Sequence, residues 1–158
     1  DYARLAGADL IVEAVFENLA LKKKVFADLD RAAKPSAILA TNTSYLDIDA
    51  IAAATARPEQ VLGLHFFNPA HVMRLLEIVR GAKTTAATLA AGAAIAQRLK
   101  KTGVIAGNAF GFIGNRMLNA YRTEALNLAL EGAAVAAIDD ALVAFGMPMG
   151  PFALMDLT

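Results

Sequence analysis

Between Asp9 and Gly107, short apolar runs rich in branched residues alternate with longer amphipathic stretches, and beyond Gly111 the alternation stops. An apolar run without polar alternation fits a strand covered on both faces, as in a parallel sheet whose crossovers are helices. Asp9-Leu-Ile-Val-Glu-Ala-Val15 is the first such run. Asn18 can cap a helix from Leu19 to Ala33, in which Leu21, Val25, Phe26, Leu29 and Ala33 line one side and Pro35 lies just past the end. Ala37-Ile-Leu-Ala-Thr41 is a second strand, and Asp47 caps a short helix ending near Arg57-Pro58. Val61-Leu-Gly-Leu-His-Phe-Phe67 is a third strand and Leu75-Leu-Glu-Ile-Val79 a fourth. Thr84 to Lys101 reads as a helix with Lys100 and Lys101 in its last turn and Gly103 as its C-cap, and residues 103–107 as a fifth short strand.

After Gly111 the pattern is helical alone. One helix runs from about Gly111 to Glu131 and is stopped by Gly132; another runs from about Val135 to Phe145 and is stopped by Gly146. Met147-Pro-Met-Gly-Pro151 is a turn, and Phe152 starts a third helix. Strands alternating with helices predict an α/β fold with a doubly wound sheet, and the helical tail predicts a second domain. The expected division is residues 1–108 and 109–158. The chain starts at Asp1 without an initiator methionine and stops at Leu157-Thr158 in what reads as the start of a helix, so a fragment of a longer protein is expected.

Composition narrows the function classes. The 158 residues are 57% hydrophobic and 19% charged, which suits a buried core and argues against disorder. Lys plus Arg equals Asp plus Glu at 15 each, so no net charge favours nucleic acid or an anionic membrane. Cysteine is absent, which removes disulfides and thiolate metal sites, and no metal is expected. A reducing compartment is permitted, and the cytoplasm is the expected one. No signal peptide is visible. The longest apolar helical stretch, Phe110 to Leu130, carries Asn115, Arg116, Asn119, Arg122, Glu124 and Asn127, which argues against a membrane span.

Two ionisable residues stand inside apolar strands. His65 ends the third strand, before Phe66-Phe67-Asn68-Pro69, and ligands of open α/β sheets gather beyond the carboxyl ends of strands. A lone histidine there can equally be a satisfied core residue. Glu77 changes the weighing, because an unpaired carboxylate inside an apolar strand is costly. If the two strands are neighbours, Glu77 can accept from one imidazole nitrogen, fix the tautomer and stabilise the imidazolium, leaving the other nitrogen to take a hydroxyl proton. A structural buried ion pair is the competing reading.

Asn42-Thr43-Ser44 follows the second strand. It can be turn chemistry, or Ser44 can hydrogen-bond a substrate oxygen; no Gly-x-Ser-x-Gly elbow supports a nucleophile. Asn115 lies in Gly111-Phe-Ile-Gly-Asn-Arg116, where the glycines permit close approach of a ligand or of another backbone. Glu17 and the run Lys22-Lys23-Lys24 follow the first strand. They fit a solvated face with a Lys24–Asp28 pair, or the rim of a nucleotide site with Glu17 and Lys22 on it. Met117, Met147, Met149 and Met155 are expected in packing and His71 on the surface. No Gly-x-Gly-x-x-Gly follows a strand, so the pyrophosphate-binding half of a dinucleotide fold is not in this chain.

Six motifs occur in order: Val12-Glu-Ala-Val-Phe-Glu-Asn18, Thr41-Asn-Thr-Ser44, Gly63-Leu-His-Phe-Phe-Asn-Pro69, Met73-Arg-Leu-Leu-Glu-Ile-Val79, Gly111-Phe-Ile-Gly-Asn-Arg116 and Met149-Gly-Pro-Phe152. Together they resemble the L-3-hydroxyacyl-CoA dehydrogenases of fatty-acid β-oxidation over nearly the whole chain. Leu21-Lys-Lys-Lys-Val-Phe26 and Pro69-Ala-His-Val-Met-Arg74 are most similar to the dehydrogenase part of bifunctional enzymes that also carry an enoyl-CoA hydratase domain. The resemblance implies part of a Rossmann-type NAD-binding domain, then the start of the family's helical C-terminal domain. It implies NAD as cofactor and 3-hydroxyacyl-CoA as substrate, with His65 as general base and Glu77 as its orienting group. It implies that Ser44 and Asn115 contact the substrate's reacting oxygen or nearby groups, that Asn68 lies near nicotinamide and substrate, and that Glu17 and Lys22, with Ser44, lie on the cofactor side. Pairing through the tail is implied too, either as a homo-oligomer or with missing parts of the parent chain. The absent glycine loop leads us to expect that the isolated chain binds NAD very weakly and is inactive. The rivals are a non-catalytic structural or binding relative and a β-hydroxyacid enzyme that uses lysine as its base.

Overall fold

The computed structural model describes residues 2–157; Asp1 and Thr158 lie outside them. Two compact units follow one another, one up to Ile113 and one from Gly114 onward.

Unit one holds strands β1 (Leu10–Glu13), β2 (Ile38–Thr41), β3 (Val61–Phe66), β4 (Leu75–Arg80) and β5 (Thr102–Gly107), and helices α1 (Leu19–Ala32), α2 (Ile48–Ala52) and α3 (Ala86–Arg98). The strands form one sheet in the order β1-β2-β3-β4-β5. All neighbours are parallel except β3 and β4, which are antiparallel. The reason lies in the connections. Residues 67–74 contain no helix and are too few for a parallel crossover, which needs about a dozen residues, so the chain turns back on itself.

Alternate strand residues face opposite layers, as the two-residue period requires. Leu39, Val61 and Val79 pack with Phe26 and Leu29 of α1 and Ile48 and Ile51 of α2. Ala40, Leu62, Leu64, Leu76 and Ile78 pack with Ala96 of α3. Two covered faces explain why these strands read as continuous apolar runs.

Gly63 marks the tightest part of the first layer. A Cβ there would stand 2.7 Å from the Val79 Cβ and 3.1 Å from the Ile48 Cδ1. Gly63→Ala is therefore expected to destabilise the chain by about 1–3 kcal/mol through overpacking. Urea unfolding measures this; unchanged stability would mean that β4 at Val79 and α2 at Ile48 both give way freely.

Gly103 is not a helix cap. α3 ends at Arg98, Lys100 takes the left-handed conformation at φ 56°, and Gly103 lies inside β5. A Cβ on Gly103 would come within 2.8 Å of the Ala96 Cβ, so glycine lets α3 approach the strand.

Unit two comprises α4 (Gly114–Leu130), α5 (Val135–Phe145) and α6 (Pro151–Leu157). Gly146 ends α5 in the left-handed conformation, as its position in the sequence predicts. The Asp139 carboxylate accepts from the Phe152 and Ala153 N–H groups at 2.9 and 3.0 Å and so caps α6. Of the four methionines expected in packing, Met149 and Met155 are half-buried. Met147 is exposed, and Met117 is 70% exposed, which corrects the expectation for both. Leu130 and Phe145 are also exposed, so this unit leaves apolar surface uncovered. Among the described residues no helix is long and apolar enough to cross a membrane.

Candidate active site

In the antiparallel register His65 faces Glu77 directly. The imidazole Nδ1 lies 2.7 Å from Glu77 Oε2, and both side chains are buried. A carboxylate oxygen accepts, so the shared proton belongs on Nδ1 and Nε2 keeps a lone pair. Glu77 Oε1 accepts from the Ile113 N–H at 3.0 Å. The rings of Phe67 and Phe112 stand 4.5 and 5.7 Å from the imidazole centroid. The ionisable residues of the third and fourth strands thus meet, as their sequence positions predict.

Ser44 and Asn68 lie beyond the carboxyl ends of β2 and β3, the same sheet end as His65. The Asn42 side chain accepts from the Phe66 N–H at 2.8 Å and ties these two strand ends together. Glu17 holds the loop that carries Ser44. Its Oε1 accepts from the Thr43 hydroxyl and from the Ser44 and Tyr45 N–H groups, the last two at 2.9 and 3.1 Å. Asn68 is exposed in the β3–β4 connection. Lys101 pins that connection by donating to the Ala70 and Met73 carbonyls at 2.6 and 2.7 Å. Asn115 is half-buried at the second residue of α4, in unit two.

Lys22 is not on a solvated face. It is 1% exposed, and its Nζ donates to Glu13 Oε1 at 2.8 Å and to the Val15 carbonyl at 3.0 Å, with Glu17 Oε2 at 3.6 Å. Glu13 also accepts from the Thr41 hydroxyl at 2.9 Å and from the Val15 N–H at 2.5 Å. Asp28 pairs with Arg31, which corrects the Lys24–Asp28 pair. Glu13 went unnoticed in the sequence, although a carboxylate inside an apolar strand is the signal that marked Glu77.

Burial raises the Glu17 pKa, but the hydrogen bonds from Thr43, Ser44 and Tyr45 and the charge of Lys22 outweigh it and leave the group below its ordinary value of 4.5. The sign follows: the anchor is fully formed above pH 4.5 and is lost as the pH falls through the lowered value. Ser44 and Tyr45 amides should lose protection against hydrogen exchange in that acid range, after correction for intrinsic rates. A Glu17→Gln chain that showed the same acid transition would contradict the assignment.

Among the described residues no cluster of His, Cys, Asp or Glu could hold a metal ion. Glu17, Ser44 and Asn68 place a carboxylate, a hydroxyl and an amide beyond the carboxyl ends of β1, β2 and β3, and no Gly-x-Gly-x-x-Gly turn of the kind that receives a pyrophosphate occurs in the sequence.

The family model described as 3-hydroxyacyl-CoA dehydrogenase, NAD binding domain, matches residues 1–109, and that of the C-terminal domain matches residues 111–158. The chain belongs to the 3-hydroxyacyl-CoA dehydrogenase family. It is 50% identical over 153 residues to the peroxisomal bifunctional enzyme of Homo sapiens, which covers 97% of this chain and 21% of that protein. It is 46% identical over 156 residues to the fatty acid oxidation complex subunit alpha of Shewanella sp. (strain W3-18-1), covering 99% of this chain and 22% of that protein. The chain thus spans about a fifth of the curated relatives it matches. Crystal structures of M. tuberculosis FadB2 (42% identity) and of Escherichia coli 3-hydroxybutyryl-CoA dehydrogenase (44% identity) superpose with TM-scores of 0.96 and 0.94. Each match covers 99% of this chain, with 56% of the FadB2 chain and 34% of the Escherichia coli chain. The mixed sheet followed by helices is therefore the family's Rossmann-like NAD-binding fold joined to its helical domain, and NAD is the family's cofactor.

Proposed function

We propose that the full-length protein containing this chain oxidises (3S)-3-hydroxyacyl-CoA to 3-oxoacyl-CoA with NAD in fatty-acid β-oxidation. The observation that carries this reading is the buried 2.7 Å contact between His65 and Glu77. With its proton on Nδ1, the imidazole is ready to take the 3-hydroxyl proton at Nε2. Glu77 fixes that tautomer and stabilises the imidazolium that results. NAD, when bound, would supply the acceptor for the hydride that leaves C3. Ser44 orients the reacting oxygen, and the family resemblance assigns Asn115, in unit two, a substrate contact of its own. Glu17, Ser44 and Asn68 hold the nicotinamide side, and Lys22 acts there through its contact with Glu17.

The boundary between the cofactor half and the helical half falls at residues 108–109 in this reading. The exposed apolar side chains of unit two support pairing through the tail, with a second copy or with further parts of the full-length protein. The similarity to the peroxisomal bifunctional enzyme of Homo sapiens supports a bifunctional parent, and the motif resemblance assigns its other part to a hydratase domain. The compartment proposed is the cytoplasm.

A turnover assay on the full-length protein with NAD and 3-hydroxybutyryl-CoA tests the activity; no NADH formation would overturn it in favour of a non-catalytic relative. The isolated chain should bind NAD very weakly and turn over negligibly, because contacts to the nicotinamide half must alone offset an immobilisation cost of about several kcal/mol. Micromolar binding by calorimetry would mean that the cofactor sits elsewhere.

A further inference from the structure

Gly111 and Phe112 take consecutive left-handed conformations, at φ 72° and 49°. Glycine enters that region freely, but an aromatic residue there must be held by its surroundings. The Phe112 N–H donates to the Ala109 carbonyl at 2.9 Å and its ring belongs to the core of the first layer, and two further contacts tie it to the His65–Glu77 pair. The Phe112 ring is buried against the imidazole of His65, with centroids 5.7 Å apart. The peptide that follows aims its Ile113 N–H at Glu77 Oε1, 3.0 Å away. Both carboxylate oxygens of Glu77 are thus engaged, Oε1 by the Ile113 N–H and Oε2 by His65. The last torsion of a glutamate is broad, so a single hydrogen bond leaves the carboxylate plane free to turn. A second donor from a rigid backbone removes that freedom.

We infer that Phe112 is a positioning residue for the His65–Glu77 pair. Its left-handed backbone delivers the Ile113 N–H to Glu77 and thereby sets the carboxylate plane, which keeps the proton on His65 Nδ1 and the lone pair on Nε2. The inference rests on the dehydrogenase reading of that pair.

The test compares Phe112→Gly with Phe112→Val in the full-length enzyme. Both lose the ring, but glycine keeps the left-handed backbone and β-branched valine opposes it. Relative to Phe112→Gly, kcat of Phe112→Val should fall about five- to thirty-fold, the factor expected from the steric cost of a Cβ in that region. KM for either substrate should change little, since Phe112 is assigned no contact with them. A merely structural role would reduce the amount of folded enzyme and leave kcat per NADH-binding site equal in the two variants, and that equality would overturn the inference. Should Phe112→Val fail to fold, Phe112→Ala makes the same comparison with a smaller steric demand. If the unsubstituted enzyme shows no turnover, the dehydrogenase reading fails by itself. Nitrogen NMR of the His65 imidazole, assigned by its loss in His65→Gln, then still decides the positioning. Phe112→Gly should keep the proton on Nδ1 and Phe112→Val, or Phe112→Ala in its place, should show a mixture; retention of the Nδ1 proton in that second variant would refute the inference.

Discussion

His65→Ala in the full-length protein is expected to lower kcat about 10²–10⁴-fold, the usual range for loss of a general base, while NAD affinity stays nearly unchanged. The asymmetry follows from where the imidazole works. It takes up its proton as the hydroxyl oxygen loses one, so it contributes in the transition state and little to the bound cofactor. Its surroundings make substitution by water inefficient, because His65 is 3% exposed and flanked by Phe67 and Phe112. Glu77→Gln provides the companion measurement. A glutamine keeps the shape but removes the charge that stabilises the imidazolium, and its amide can also present a donor to Nδ1, so the wrong tautomer becomes accessible. Its kcat should fall as well, with KM again little changed. Steady-state rates at saturating NAD, with cofactor affinity from fluorescence titration, separate the two effects. A His65→Ala enzyme that kept half the wild-type rate would end the proposed role.

Much of this was legible because the chain places polar groups where an apolar sheet should have none. His65 and Glu77 were found in that way, but the adjacency of their strands stood only as a condition, which the antiparallel pairing of β3 with β4 fulfils. What stayed hidden depends on long-range geometry. Lys22 stands first in a row of three basic residues, and no local pattern says that the helix turns only this one inward. Its partner Glu13 lies in the preceding strand, and the third member, Thr41, is 28 residues from Glu13. Gly103 was misread as a cap because a glycine after two lysines carries the signature of a helix end. Close approach of α3 explains that residue instead, and the sequence contains no record of interlayer distance. The left-handed Phe112 was equally invisible, since its conformation is imposed by contacts with His65 and Glu77 and not by its own preference.

The ion network beneath Ser44 should dominate the stability of this part of the fold. Lys22→Met is expected to destabilise the chain by about 3–5 kcal/mol, because removing one partner of a buried ion pair leaves the other charge uncompensated. Glu13 and Lys22 are each about 1% exposed in their side chains, so water does not take over the lost contact. The Thr41 hydroxyl and the Val15 N–H both donate to Glu13 and hold its carboxylate in place beside the site that the ammonium leaves. Glu13→Gln should cost less, about 1–3 kcal/mol, since the ammonium retains the Val15 carbonyl and stands 3.6 Å from Glu17. The pair Glu13→Leu with Lys22→Met should recover most of the loss, as apolar replacements of buried ion pairs commonly do. This non-additivity, read by urea unfolding of Lys22→Met, Glu13→Leu and the double variant, identifies a coupled pair. A Lys22→Met chain within about 1 kcal/mol of the original would mean that water reaches Glu13 after all. The double variant also separates stability from the site. It restores the packed layer but removes the cation nearest Glu17, so the Ser44 and Tyr45 amides should remain less protected in it even where global stability has returned.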